Sequence, residues 1–86
     1  MPILAVFLGI VIRIFYEDHN PPHFHAEYGG YEVLIEIKTG RIVAGSLPSR
    51  PMKLVKEWMN MHKSEIMTAW QDAKELRKPN KIKPLE

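Results

Sequence analysis

Two adjacent glycines, Gly29-Gly30, stand between two runs that alternate apolar and polar side chains, and nothing else in the chain restricts its fold so tightly. His23-Phe24-His25-Ala26-Glu27-Tyr28 leads in, and Tyr31-Glu32-Val33-Leu34-Ile35-Glu36-Ile37 leads out. Alternation with a period of two marks a half-buried strand, and a Gly-Gly connection supplies the positive φ that tight hairpin turns require. Pairing outward from the turn sets Tyr28 opposite Tyr31, Ala26 opposite Val33 and Phe24 opposite Ile35, all apolar and on one face. The other face pairs Glu27 with Glu32, His25 with Leu34 and His23 with Glu36. A slip of one residue would send every apolar side chain to the wrong side, so the pattern specifies its own register.

The flanking segments extend the same sheet. Ile3 to Phe7 and Ile10 to Tyr16 are β-branched and aromatic runs separated by Leu8-Gly9, a tight turn. In the second run Ile10, Ile12, Ile14 and Tyr16 share one face, while Val11, Arg13 and Phe15 share the other. Glu17 to Pro22 breaks the pattern, because Pro21 and Pro22 cannot donate ladder hydrogen bonds. Thr39-Gly40 is expected to close a further hairpin, pairing Ile37 with Ile42 and Ile35 with Ala44 on the apolar face.

Leu47 to Pro51 reads as a connector, with Ser49 placed to cap a helix. From Met52 to Leu76 there is neither Gly nor Pro, and Val55, Trp58, Met59, His62, Ile66, Trp70 and Ala73 recur every three or four residues. That spacing predicts an amphipathic helix, either continuous or broken near Asn60 to Ser64, where Asn60 or Ser64 can cap a new start. The tail after Arg77 is irregular, with Ile82 and Leu85 as anchors on the body. The expectation is one small α+β domain over 1–86, β-rich at 2–45, helical at 50–77 and irregular at 78–86. Its antiparallel meander of about five strands is packed on one face by the C-terminal helix or helix pair. Phe24, Ala26, Tyr28, Val33, Ile35 and Ile37 would meet the helix, leaving the face of His23, His25 and Glu36 accessible.

With 86 residues there is room for one modest core, and 45% hydrophobic residues exclude a disordered chain. The absence of cysteine excludes disulfides, thiolate metal sites and thiol catalysis. The remaining ways to brace so small a core are a metal with other ligands or a partner chain, a homodimer included. The net charge of +2 is uneven: residues 1–49 hold 3 Lys/Arg against 5 Asp/Glu, and residues 50–86 hold 9 against 5. A basic second half suits phosphates, RNA among them, or an acidic partner, but an ordinary solvated helix face is the commoner source of such charge. Ile3 to Tyr16 lacks the basic lead and cleavage site of a signal peptide and includes Arg13. It also falls short of the roughly 20 apolar residues that span a bilayer. It reads as buried strands of a cytoplasmic protein with no membrane role.

Three of the four histidines lie within seven residues, and strand alternation points His23 and His25 the same way. Three chemistries fit. His23 and His25 can bind a divalent metal such as zinc or nickel, with His19, Glu36 or Asp18 completing the set. Alternatively a histidine serves as general acid or base, with Arg13 stabilising a phosphate in a metal-independent ribonuclease. In the third, the imidazoles are structural and hydrogen-bond loop carbonyls. His62 lies in the apolar stripe of the helix and reads as a core or half-buried residue rather than a ligand.

The string Asp18-His19-Asn20-Pro21-Pro22-His23-Phe24-His25 resembles a bacterial family known as domain of unknown function 4160. Met1-Pro2-Ile3, Ile12-Arg13-Ile14-Phe15-Tyr16, Gly45-Ser46-Leu47-Pro48, the stretch from Trp58 to His62, Trp70 and Ile82-Lys83-Pro84-Leu85 carry the same likeness. The resemblance brings no catalytic mechanism. Members are often encoded beside a second small protein, of domain of unknown function family 2442, which implies a partner protein in a toxin–antitoxin-like pair. The histidine segment would then be the active or recognition surface. The alternative is a small metal-dependent or histidine-based enzyme acting on RNA.

Overall fold

The structure, a computed structural model, describes residues 2–16 and 18–85. Met1, Glu17 and Glu86, and with them the first residue of the expected Glu17 to Pro22 loop, lie outside the described residues. Five strands, β1 (Ile3–Phe7), β2 (Ile10–Arg13), β3 (His23–Tyr28), β4 (Tyr31–Glu36) and β5 (Ile42–Gly45), precede one helix, α1 (Ser49–Lys74). The strands form an antiparallel meander in chain order.

The β3–β4 hairpin has the register that the alternation requires, from Tyr28 opposite Tyr31 to His23 opposite Glu36. Leu8 and Gly9, both at positive φ (51° and 83°), turn β1 into β2. Arg13 lies opposite His25, so the odd face of β2 is the histidine face. Strand pairing stops at Arg13 rather than Tyr16, yet Ile14 stays fully buried and donates its N–H to the Pro2 carbonyl at 3.2 Å.

The β4–β5 register differs from expectation. Ile42 pairs with Ile35 instead of Ile37, and a bulge puts Ala44 opposite Leu34. The Glu36 N–H donates to the Arg41 carbonyl and the Gly40 N–H to the Glu36 carbonyl, each at 2.8 Å, closing a loop longer than Thr39-Gly40. Ile37 is drawn fully into the core, its N–H bonded to the Pro22 carbonyl, and so cannot face Ile42. Ile42 and Ala44 are consequently exposed rather than part of the core face. Gly45 crosses the Glu32 backbone so closely that a Cβ there would lie 2.2 Å from the Glu32 carbonyl oxygen, a site only glycine fits.

The helix buries Pro51, Val55, Trp58, Met59, Ile66, Ala69, Trp70 and Ala73. Trp58 is its anchor, fully enclosed, with ring centroids 5.8 Å from Phe7 and 5.9 Å from Phe24. Burying each such side chain contributes about 2–3 kcal/mol. Of the two alternatives, continuous or broken, the helix is kinked, at His62 (φ −129°, ψ 23°) inside the Asn60 to Ser64 stretch. Ser49 is not the cap: it is already helical, Pro48 precedes it, and no side chain bonds the first turn. Helicity stops at Lys74, short of residue 77, because Leu76 turns left-handed (φ 62°). The N–H groups of Glu75, Leu76 and Arg77 then take the last helical carbonyls. The tail returns across the body. Ile82 is buried and donates its N–H to the Leu4 carbonyl of β1 at 2.8 Å, while the Trp58 indole N–H donates to the Lys83 carbonyl at 2.9 Å. Leu85 packs partly buried against the core. Among the described residues, no helix is long and apolar enough to cross a membrane.

Candidate metal centre

Alternation along β3 places His23 and His25 on the face opposite Phe24 and Ala26, and the loop after β2 brings Asp18 back onto them. His23 Nε2 lies 3.0 Å and His25 Nε2 3.4 Å from the same oxygen, Asp18 Oδ2. The three donors fall within 4.8 Å of one another. The expected accessible face is in fact covered: His23 is 7% and His25 8% exposed. The Trp70 ring lies 5.2 Å from the His23 ring, and Phe15 meets His25 edge-on at 4.2 Å. Lys74 Nζ donates to the Asp18 backbone carbonyl at 3.1 Å, tying the loop to the end of the helix.

Hydrogen bonding on the far side of each ring sets its chemistry. His23 Nδ1 is 2.8 Å from the Pro21 carbonyl oxygen, and His25 Nδ1 is 3.2 Å from Glu32 Oε2. A carbonyl and a carboxylate only accept, so each Nδ1 carries a proton. Each Nε2, facing the Asp18 carboxylate, then either carries a second proton or gives its lone pair to a cation that the carboxylate shares. Metal-bound imidazoles show this same arrangement, the other ring N–H being donated to a carboxylate or backbone carbonyl. Burial pushes the Asp18 carboxyl up, but the His19 N–H, the His25 hydrogen bond and the charges of His23 and His25 outweigh it and hold it below its usual value of 3.8. The donor set, two nitrogens and one carboxylate oxygen, fits a borderline divalent cation such as zinc.

The other candidates take different places. His19 is exposed and its N–H bonds Asp18 Oδ1 at 2.8 Å. Glu36 shares the sheet face of His23, but its carboxylate accepts from the Thr39 hydroxyl. Arg13 Nε pairs with Glu27 Oε2 at 3.1 Å across the partly exposed surface. His62 stays apart: it is half-buried, with Nδ1 2.7 Å from Glu65, Nε2 without a hydrogen-bond partner and its ring 5.7 Å from Trp58.

Glu32, Trp70 and Lys74 escaped the sequence reading. A signal for Glu32 existed, since it lies two residues from Leu34, the partner of His25, on the same face and within diagonal reach. Trp70 and Lys74 carried none, because their contacts depend on where the helix ends over the loop.

The model of the family described as Domain of unknown function (DUF4160) matches residues 9–71, a span that contains Arg13, Asp18, His23, His25, Glu32 and Trp70. No curated protein and no solved structure matches the chain. With most of its length matched, and the whole histidine cluster inside that match, the chain belongs to the DUF4160 family.

Proposed function

We propose that this chain binds a divalent transition-metal ion, zinc in the first instance, through Asp18 Oδ2, His23 Nε2 and His25 Nε2. The observation that carries the reading is the pair of Nδ1 atoms committed to acceptors while both Nε2 atoms converge on one carboxylate oxygen. A bound ion would supply Lewis acidity, and three protein ligands leave coordination positions open, as in catalytic rather than structural zinc sites. The protein supplies the rest. Pro21 and Glu32 orient the rings, while Trp70 and Phe15 exclude water from the buried side. Asp18 lies on the half-buried side from which an ion or its further ligand would enter.

Tag-free protein titrated with zinc chloride should bind one ion per chain and melt at a higher temperature. At a free zinc concentration of about 100 times Kd, the native state gains about 2.7 kcal/mol. Asp18→Ala and His25→Ala, kept folded as judged by circular dichroism, should lose that gain. Wild-type protein that neither binds zinc or nickel nor changes its melting temperature would end the metal reading.

A second reading, a protein-interaction component of a two-protein toxin–antitoxin-like module, is supported by another region. β5 is exposed along its whole length at the edge of the sheet. Co-expression with the small protein encoded beside this chain should give a complex that co-elutes in gel filtration. Separate elution at micromolar concentration would refute it.

A further inference from the structure

We propose that the free edge of β5, with the groove between it and the first half of α1, is a docking surface for an acidic, strand-forming protein segment. This deepens the interaction reading and rests on it for the existence of a partner.

The shape comes first. β5 has one hydrogen-bonded neighbour, β4, and its sequence Ile42-Val43-Ala44-Gly45 contains neither proline nor charge. Proline, charge or a covering segment commonly blocks edge pairing, and β5 has none of these among the described residues, while its four-residue length and its bulge confine an added strand to a short pairing. Ile42 is 49% and Val43 50% exposed. Beside them runs a groove of about 600 Å³ in which Ile42, Leu47 and Met52 present apolar surface, with Lys53 and Lys56 among its other lining residues. A strand added to this edge would gain backbone hydrogen bonds and could set alternate side chains against the groove.

Charge selects the occupant. Residues 37–57 hold Lys38, Arg41, Arg50, Lys53 and Lys56 against one acidic residue, Glu57, which lines the groove beside the two lysines and leaves it net positive. All five cations are exposed. A second copy of the chain, pairing β5 with β5, would bring these like charges together, a costly match. RNA would find the charge, but none of the described lining residues is aromatic, and single-stranded binding relies on stacking platforms. An acidic strand with apolar alternate positions satisfies both the groove and its rim.

The test uses the full chain, labelled with nitrogen-15. The probes are a synthetic peptide of about ten residues alternating Glu with Val or Ile, its Lys-for-Glu counterpart, and an oligouridylate of similar length. The acidic peptide should shift amides at residues 42–47, 49–50 and 52–60 and bind at least about tenfold tighter than the lysine peptide at low salt. Exchanging the two exposed lysines, Lys53→Glu with Lys56→Glu, should leave the fold intact and reverse that preference. The proposal is overturned if the two peptides bind alike, if the shifts fall elsewhere, if the RNA takes the same residues more tightly, or if the chain self-associates through β5. The two readings separate cleanly. Co-elution with the neighbouring protein that survives the double reversal sinks this surface and spares the interaction reading. Acidic-peptide binding at β5 without co-elution spares the surface and sinks the pairing with that neighbour.

Discussion

At the β1 edge the chain covers its own backbone: the tail bonds Leu4 through Ile82 and is pinned from behind by the Trp58 indole on the Lys83 carbonyl. At the β5 edge nothing in the described chain plays that part, and the strand lies in the open. The histidine face of the sheet follows the first pattern, with the polar atoms of His23, His25 and Asp18 turned on one another beside Trp70 and Phe15. A region whose polar groups face inward can serve something as small as an ion. A region whose backbone and lysines face outward suits another chain. Glu32 joins the two, its carboxylate on His25 and its backbone carbonyl accepting from the Ser46 N–H at 3.0 Å just beyond β5.

The largest effect should come from the closed side. Trp58→Ala should cost about 3–5 kcal/mol in urea denaturation, enough to unfold a domain with so small a core. Trp58→Phe, which keeps an aromatic ring in the core but leaves a small cavity and drops the bond to the tail, should cost less, about 1–2 kcal/mol. Equal losses from both would show that the tail bond, not the packing, anchors this side. Truncation after Pro79 would make the β1 edge resemble that of β5. It removes the burial of Ile82 and two hydrogen bonds, for a loss of about 3 kcal/mol, and should promote self-association visible by sedimentation. A truncated chain as stable as the parent and no more prone to self-associate would erase the contrast between the edges.

Glu32 tests whether the regions are separable. Glu32→Ala should weaken zinc binding about 10–100-fold in titration calorimetry, and Glu32→Gln, which still offers an acceptor to His25, should recover most of it. Undiminished affinity in the alanine variant would detach Glu32 from the site. Asp18 gives the metal-free chain an acid sensitivity of known sign. Its carboxyl is depressed below 3.8, so the stability it contributes is present above that value and is lost as pH falls through the folded-state pKa. Melting temperatures between about pH 5 and about pH 2 should therefore fall more steeply for the parent than for Asp18→Asn. Parallel curves would place the sensitivity elsewhere. The smallest change belongs to the open edge, where Val43→Lys should move stability by no more than about 0.5 kcal/mol.

The sequence determined the β3–β4 register, the shared face of His23 and His25, the amphipathic helix, and Ile82 as an anchor. Each follows from local periodicity or turn chemistry, which act over a few residues. Thr39-Gly40 shows the limit of that logic. As a dipeptide it reads as a hairpin, but burial of Ile37 outweighed the turn and shifted β5, carrying Ile42 and Ala44 from the expected core face to the surface. Only the tertiary structure decided that Asp18 would close on both histidines, that Glu32 would hold one of them, that Trp70 would cover the other, and that the tail would protect one edge while leaving the second free. Those outcomes depend on where a loop returns and where a helix ends, and both are set by packing between residues far apart in the chain.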